Sequence, residues 1–201
     1  AELQTDKFSP FPVETVAAGA EVLEAAGTSS LVALAVVRRE DVDAVGAAFQ
    51  SAGGAPDAVD VEILGWWWGL RQSGALPAHG TQVALRAEAT ALEMAVVRDG
   101  APLAFRALPD APAAGDAAAR ADWIGACAEE MADALTALET EWGNAGAPTL
   151  HVFHAAEFPA ADVEALRRAA GLETAIAHPL DGLPTASEGI ARRQAAPARP
   201  L

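Results

Sequence analysis

From Val83 to Leu108 the chain runs through three short apolar stretches, separated by a polar break at Arg86–Thr90 and by Arg98-Asp99-Gly100. Aspartate followed by glycine between β-prone stretches marks a hairpin, because both residues tolerate the positive φ that a tight turn needs. The spacing predicts strands near Gln82–Ala87, Ala91–Arg98 and Leu103–Leu108. Beyond the loop Pro109–Gly115, Asp116 is placed to cap a helix. Ala121, Ile124, Ala128, Met131, Leu135, Leu138 and Trp142 then recur at intervals of three and four, closed by Gly143-Asn144. That is a helix of about seven turns. Leu150–Phe153 reads as a strand, Val163, Leu166 and Ala170 as a helix ended by Gly171, Thr174–Ala177 as a last strand, and Thr185–Gln194 as a final helix. The order β-β-β-α-β-α-β makes this half a mixed α/β domain.

The first half is less regular. Asp6–Val13 is extended and punctuated by Pro10 and Pro12, Val16–Leu23 reads as a strand, and Gly27–Ser30 as a turn. Leu31–Val37 is a continuous apolar stretch, the pattern of a strand buried on both faces. Val42, Val45, Phe49 and Ala52 follow helical spacing up to Gly53-Gly54, Ala58–Val61 reads as a short strand, and a second helix runs to about Gln72. Strand, helix, strand, helix in close succession predicts parallel pairing through crossovers. The loop Ser73–Gly80 divides the chain into a partial first lobe at 1–76, a second lobe at 80–194 and a Pro/Ala tail at 195–201.

At 201 residues such a chain buries roughly 70% of its unfolded surface. Lys+Arg 13 against Asp+Glu 28 gives a net charge of −15, which argues against nucleic acid, whose phosphates demand a basic face, and against anionic lipid. One cysteine, Cys127, excludes an internal disulfide and a cysteine metal cluster. The opening residues lack the apolar core of a signal peptide, and Leu31–Val37 is far shorter than the roughly 18 residues of a membrane helix. The expectation is a cytoplasmic piece, cut from a longer chain.

Catalytic motifs are missing from the sequence: no nucleophile elbow, no Walker loop, no dinucleotide fingerprint. His151 and His154 belong to one strand, three apart, so they point to opposite faces. His79 and His178 have no serine or cysteine partner in a recognisable motif, and no metal site is expected. Glu129-Glu130 and the pair Asp41 and Asp43 read as solvated helix faces. The most unusual local feature is Trp66-Trp67-Trp68 between Gly65 and Gly69. On a helix three successive residues fan across about 200°, so they do not share one core. One reading packs one or two of them between the lobes and lays the third flat on the surface; the sharper one makes at least one of Trp66, Trp67 and Trp68 an anchor for a protein partner.

Phe8–Glu14, Leu31–Glu40 with Val42, Val45 and Phe49, then Ala52-Gly53 and Val59-Asp60, resemble the type IV pilus assembly protein PilM and its relative GspL, the cytoplasmic actin-like component of type II secretion. Val83–Arg106, with its Arg-Asp-Gly turn, resembles that family's second-lobe opening; His151–Glu157, Leu166, Gly171-Leu172 and His178-Pro179-Leu180 resemble its last strand–loop–helix–strand. The resemblance implies an actin-like, ribonuclease-H-like fold of two lobes, mixed sheets flanked by helices, with the first lobe incomplete. It implies an inner-membrane location at the cytoplasmic face, a membrane partner of the PilN type and an assembly ATPase. The family opens its second lobe with an Asp-Ile-Gly-like turn that serves magnesium and phosphate; the matching positions here are Ala84-Leu85-Arg86, and Phe153 is followed by His154-Ala155-Ala156 where the family carries Gly-Gly. The expectation is therefore a non-catalytic scaffold without a cofactor. The alternative is an active actin-like ATPase or sugar-kinase-like phosphotransferase using ATP with magnesium, with Arg86, Glu88 and Thr90 at the nucleotide. A homodimer is a further expectation.

Overall fold

The computed structural model describes Ser9 and residues 11–26, 29–88, 91–112, 116–143, 146, 148–156 and 158–195. The chain divides into two compact units, Ala1–Val61 with Ala196–Leu201, and Glu62–Ala195.

In the first unit a 3-10 turn at Val13–Thr15 leads into β1 (Val16–Ala26), β2 (Ser29–Arg38) and α1 (Arg39–Ser51). The two strands form an antiparallel ribbon from Val16↔Arg38 to Ala26↔Ser29, with an irregularity between Val22 and Glu24. Arg39 donates from Nη2 to the Val16 carbonyl at 2.7 Å, tying the start of the helix to the start of the ribbon. The expected parallel crossover is not found. So short a connection between two strands permits only antiparallel pairing, and Ala58–Val61 has no strand geometry. Nor is Leu31–Val37 buried on both faces: residues 33–37 are half-buried and Val32 is exposed. The helical stripe of α1 exists, but Val45 and Phe49 lie on the surface. Gly27 and Thr28 of the expected turn lie outside the described residues, while Ser29 and Ser30 already belong to β2.

The second unit holds α2 (Glu62–Ser73), β3 (Thr81–Ala87), β4 (Leu92–Arg98), β5 (Ala101–Leu108), α3 (Ala117–Trp142), β6 (Thr149–His154), α4 (Ala160–Ala169), β7 (Thr174–Pro179) and α5 (Ala186–Ala195). Its five strands lie in the order β5-β4-β3-β6-β7. The β3-β4-β5 meander is antiparallel, and β6 and β7 add parallel to β3. The meander turn is the expected one: Asp99 takes φ 50° and Gly100 φ 78°, and the Asp99 carboxylate accepts the Gly80 N–H at 2.9 Å. The unit begins at Glu62, so α2 belongs with the second lobe rather than with 1–76; of the tail 195–201 only Ala195, the end of α5, is described.

The reason is packing. On one face of the sheet Val83, Leu85, Met94, Val96, Leu150 and Val152 meet α3 and α4. The buried stripe of α3 is Trp123, Cys127, Met131, Ala134 and Leu138, with Ile124 and Leu135 partly buried. This is rotated from the stripe expected through Ala121, which is exposed, because alanines on every side of the helix blur its apolar face. The expected cap holds, Asp116 accepting from the Ala119 N–H at 2.9 Å. On the other face Trp66, Trp67 and Leu70 of α2, together with Ala186 of α5, cover Ala84, Ala95, Val97 and Phe153. The two helices cross glycine on glycine. A methyl group at Gly189 would strike the Gly65 carbonyl, and one at Gly65 would lie 2.6 Å from Ile190 Cγ1. Thr185 and Glu188 close the start of α5 as a reciprocal capping box, Thr185 N–H to Glu188 at 2.8 Å and Glu188 N–H to Thr185 at 3.2 Å.

Candidate functional site

In an open α/β sheet, ligands bind beyond the carboxyl ends of parallel strands. Here those ends are Ala87 of β3, His154 of β6 and Pro179 of β7. The dominant feature beside them is Arg86. Cross-strand pairing sets it opposite Glu93 of β4, and its Nη1 reaches Glu93 at 2.9 Å and Glu62, the first residue of α2, at 2.8 Å. Its Nη2 donates to Glu88 at 2.5 Å. The Arg86 side chain is only 11% exposed. Burial opposes its charge, but the hydrogen bonds it donates to Glu62 and Glu88 outweigh that and hold the guanidinium above its ordinary range. Glu93 is pushed up, burial outweighing the pull of Arg86.

Three carboxylates around one guanidinium leave negative charge in excess. A phosphate needs the reverse, a set of donors and cations. Backbone donors nearby are also taken: Glu88 N–H binds the Ala91 carbonyl at 2.9 Å, Ala155 N–H binds Ala87 at 2.9 Å, and Phe158 N–H binds Ala155 at 3.1 Å. The structure thus brings Arg86 and Glu88 together, as the alternative reading requires, but as mutual partners. Thr90 lies outside the described residues. Glu62 and Glu93 were not legible as members of this cluster, since neither belongs to a motif; the cross-strand position of Glu93 was the one available signal.

A histidine relay that the sequence reading missed runs across β3, β6 and β7. His151 is 2% exposed; its Nε2 lies 3.0 Å from Gln82 Oε1 and its Nδ1 3.0 Å from His178 Nε2. Gln82 donates from its amide nitrogen to the His79 carbonyl at 3.1 Å, so its oxygen faces His151. His151 therefore carries its proton on Nε2 and accepts on Nδ1. His178 donates from Nε2, and its Nδ1 is left as the acceptor. Phe153 stacks on His178 at 4.6 Å. Burial first, and His178 second, push His151 down to about 4; burial first, and His154 second, lower His178. His154 points to the other face, as expected for three residues along a strand.

Of the three tryptophans, Trp66 and Trp67 are core residues at 1% and 2% exposure, edge-on to Phe153 at 6.2 Å and Phe105 at 6.4 Å. They offer no surface to a partner, because α2 lies flat on the sheet and turns them into it. Trp68 is half-buried, with the Arg71 guanidinium 5.9 Å above its ring. Cys127 is buried, and burial, helped by Glu130, pushes its thiol up to about 12, far from a reactive thiolate. Among the described residues no cluster of three or more histidine, cysteine or acidic side chains is arranged to hold a metal ion.

No protein-family profile matches the chain, and no curated protein matches it in sequence. Among solved structures it is similar to a chain of the PilM-PilN type IV pilus biogenesis complex, with a TM-score of 0.62 and 18% identity, over 88% of this chain and 59% of that one. The chain thus spans a little over half the length of that neighbour. A second match is to the activator of the 2-hydroxyisocaproyl-CoA dehydratase from Clostridium difficile with bound ADPNP, at TM-score 0.33 and 8% identity, covering 92% of this chain and 100% of that one; a likeness that weak carries no argument. The first match shows the fold, a mixed α/β architecture like that of the PilM-PilN neighbour, as the resemblance implied.

Proposed function

We propose that this chain is a non-catalytic, actin-like scaffold of the inner-membrane assembly platform of a type IV pilus or type II secretion machine. In this reading it holds a membrane protein of the PilN type and links it to the assembly ATPase, sitting at the cytoplasmic face of the membrane without crossing it. The observation that carries the reading is the likeness in fold to the PilM-PilN complex over 88% of the chain. Among the described residues no helix is long and apolar enough to cross a membrane, which accords with a peripheral place in such a platform.

The non-catalytic part of the reading is supported by Arg86. By the resemblance of Val83–Arg106 to the family's second-lobe opening, Ala84-Leu85-Arg86 occupies the positions of the phosphate turn. A guanidinium engaged by Glu62, Glu88 and Glu93 is not free to bind phosphate, and the surplus carboxylates repel it. Trp68, the tryptophan that keeps a face outside the core, is the anchor this reading offers to a partner.

Two measurements test the proposal separately. Calorimetry with ATP and magnesium is expected to show no heat of binding at millimolar nucleotide; saturable binding would overturn the non-catalytic part. Fluorescence anisotropy with labelled soluble peptides of a PilN-type protein is expected to give saturable binding that weakens in Trp68→Ala. No binding at any concentration would remove the assembly role.

A further inference from the structure

Among the described residues β5 and β7 are the two edge strands of the second unit's sheet, and they are built differently. β5 carries Pro102 and the charged, exposed Arg106, both devices that keep an edge from pairing. β7 runs Thr174-Ala175-Ile176-Ala177-His178-Pro179 and has no Lys, Arg, Asp or Glu. Its Ile176 is 42% exposed, and among the described residues it is the one large exposed hydrophobic side chain of the second unit.

The backbone direction follows from one bond. Leu180 donates to the His154 carbonyl at 2.9 Å, so Leu180 points inward to β6, and alternation turns His178, Ile176 and Thr174 inward with it. Ala175 and Ala177 therefore direct their N–H and C=O groups outward, and Pro179 directs outward a carbonyl without a donor. Side chains alternate as well. Thr174, Ile176 and His178 share the face of their register partners Thr149, His151 and Phe153, while Ala175 packs on the opposite face against α4 and its core.

We infer that β7 pairs antiparallel with β7 of a second copy of this chain, about a two-fold axis through Ile176, joining the two five-stranded sheets into one. In this register Ala175 and the partner copy's Ala177 exchange both backbone hydrogen bonds, and symmetry repeats the exchange. Both outward donors of each edge are used. Ile176 falls opposite itself in a non-hydrogen-bonded pair, where side chains are closest. Thr174 falls opposite His178 of the second copy, on the same face as the Ile176 pair. Moving the axis one residue toward the C-terminus sets Ala175 against Pro179, which has no donor; moving it the other way sets Ile176 against Thr174. The pairing brings no like charges face to face, since Glu173 falls opposite Pro179. A self-complementary edge of this kind makes an isologous interface. One strand pair buries less than the about 1,200 Å² of a stable interface, and each copy carries −15, so the dimer is weak and is strengthened by salt as the net charges are screened.

Cross-linking and sedimentation test this on the full chain. Ile176→Cys is expected to form an intermolecular disulfide under mild oxidation, because that pair places its Cα atoms about 4.5 Å apart. Ala175→Cys, on the other face and opposite Ala177, is expected not to. Cys127 is buried and supplies no background. Sedimentation of the wild type from micromolar to millimolar concentration is expected to show a monomer–dimer equilibrium, shifted at least about tenfold toward monomer by Ile176→Lys. Ala177→Pro removes an outward donor without touching the bond to β6, so it repeats the loss in a second background. A chain monomeric at millimolar concentration, a dimer indifferent to both substitutions, or equal cross-linking at 175 and 176 would each overturn the inference.

Discussion

The two units are written in much the same alphabet of alanine, valine and leucine, yet they bury it very differently. In the second unit the sheet is covered on both faces, and Trp66, Phe153, Leu85, Met94, Met131 and Leu150 are fully buried. In the first unit, among the described residues, Val16 is the one buried hydrophobic side chain, while Phe11, Val13, Val32, Val45, Phe49 and Val59 are exposed. Apolar content alone does not make a core. A two-stranded ribbon has no second layer broad enough to cover it, whereas five strands present two faces, each wide enough for a pair of helices.

The sharpest way to break this contrast is a matched pair of glycine substitutions. Gly189→Val drives side-chain atoms into the Gly65 backbone, so it is expected to cost the second unit more than about 4 kcal/mol. Gly46→Val on α1, where an added Cβ meets nothing within 4 Å, changes stability by less than about 1 kcal/mol. Urea denaturation of both variants checks the pair. Equal effects would mean that the α2–α5 crossing is not a packing contact.

Acid supplies the next comparison, because all four histidines belong to the second unit. The folded protein holds His151 near 4, below its unfolded value of 6.5. Its contribution is therefore complete above pH 6.5 and is lost as the pH falls toward 4. A shift of this size corresponds to about 3 kcal/mol. Hydrogen exchange as a function of pH is expected to show β3, β6 and β7 losing protection over that range while β1 and β2 do not follow, and His151→Gln is expected to flatten the profile.

Ion pairs give a smaller contrast. Arg86→Ala strands three carboxylates beside a buried edge and is expected to cost about 2 kcal/mol. Arg38→Ala removes exposed pairs with Glu40 and Asp41 and is expected to cost no more than about 0.5 kcal/mol. Denaturant midpoints measured side by side decide whether the difference is real. Smallest of all, Phe49→Ser, at a side chain 51% exposed, is expected to stay within about 0.5 kcal/mol of wild type.

What the sequence disclosed follows the same divide. The meander was legible because Asp99-Gly100 needs its turn, and α3 because Asp116 caps it and the period is sustained. The first unit misled because Leu31–Val37 reads as a strand with two covered faces, when among the described residues the strand it pairs with is β1 alone. At the candidate site Arg86 and Glu88 were visible as neighbours in sequence, but Glu62 and Glu93 arrive from a helix and another strand. Gln82, His151 and His178 come from three different strands, and nothing local announces a contact between residues so far apart. The role of Gly65 was hidden by the tryptophans beside it, since a glycine's meaning depends on the surface that meets it.

The central place of β3 has a consequence for how the protein is made. Its antiparallel partner β4 follows it within a few residues, but its parallel partner β6, which pairs Val152 with Leu85, follows only after β4, β5 and the whole of α3. At roughly 5–20 residues per second, the ribosome leaves one side of β3 unpaired for several seconds while the meander is already formed. During that interval the apolar centre of the future sheet is an open edge on a tethered chain, and a holding chaperone, or α3 folding back early over Val83 and Leu85, decides whether β6 finds it first.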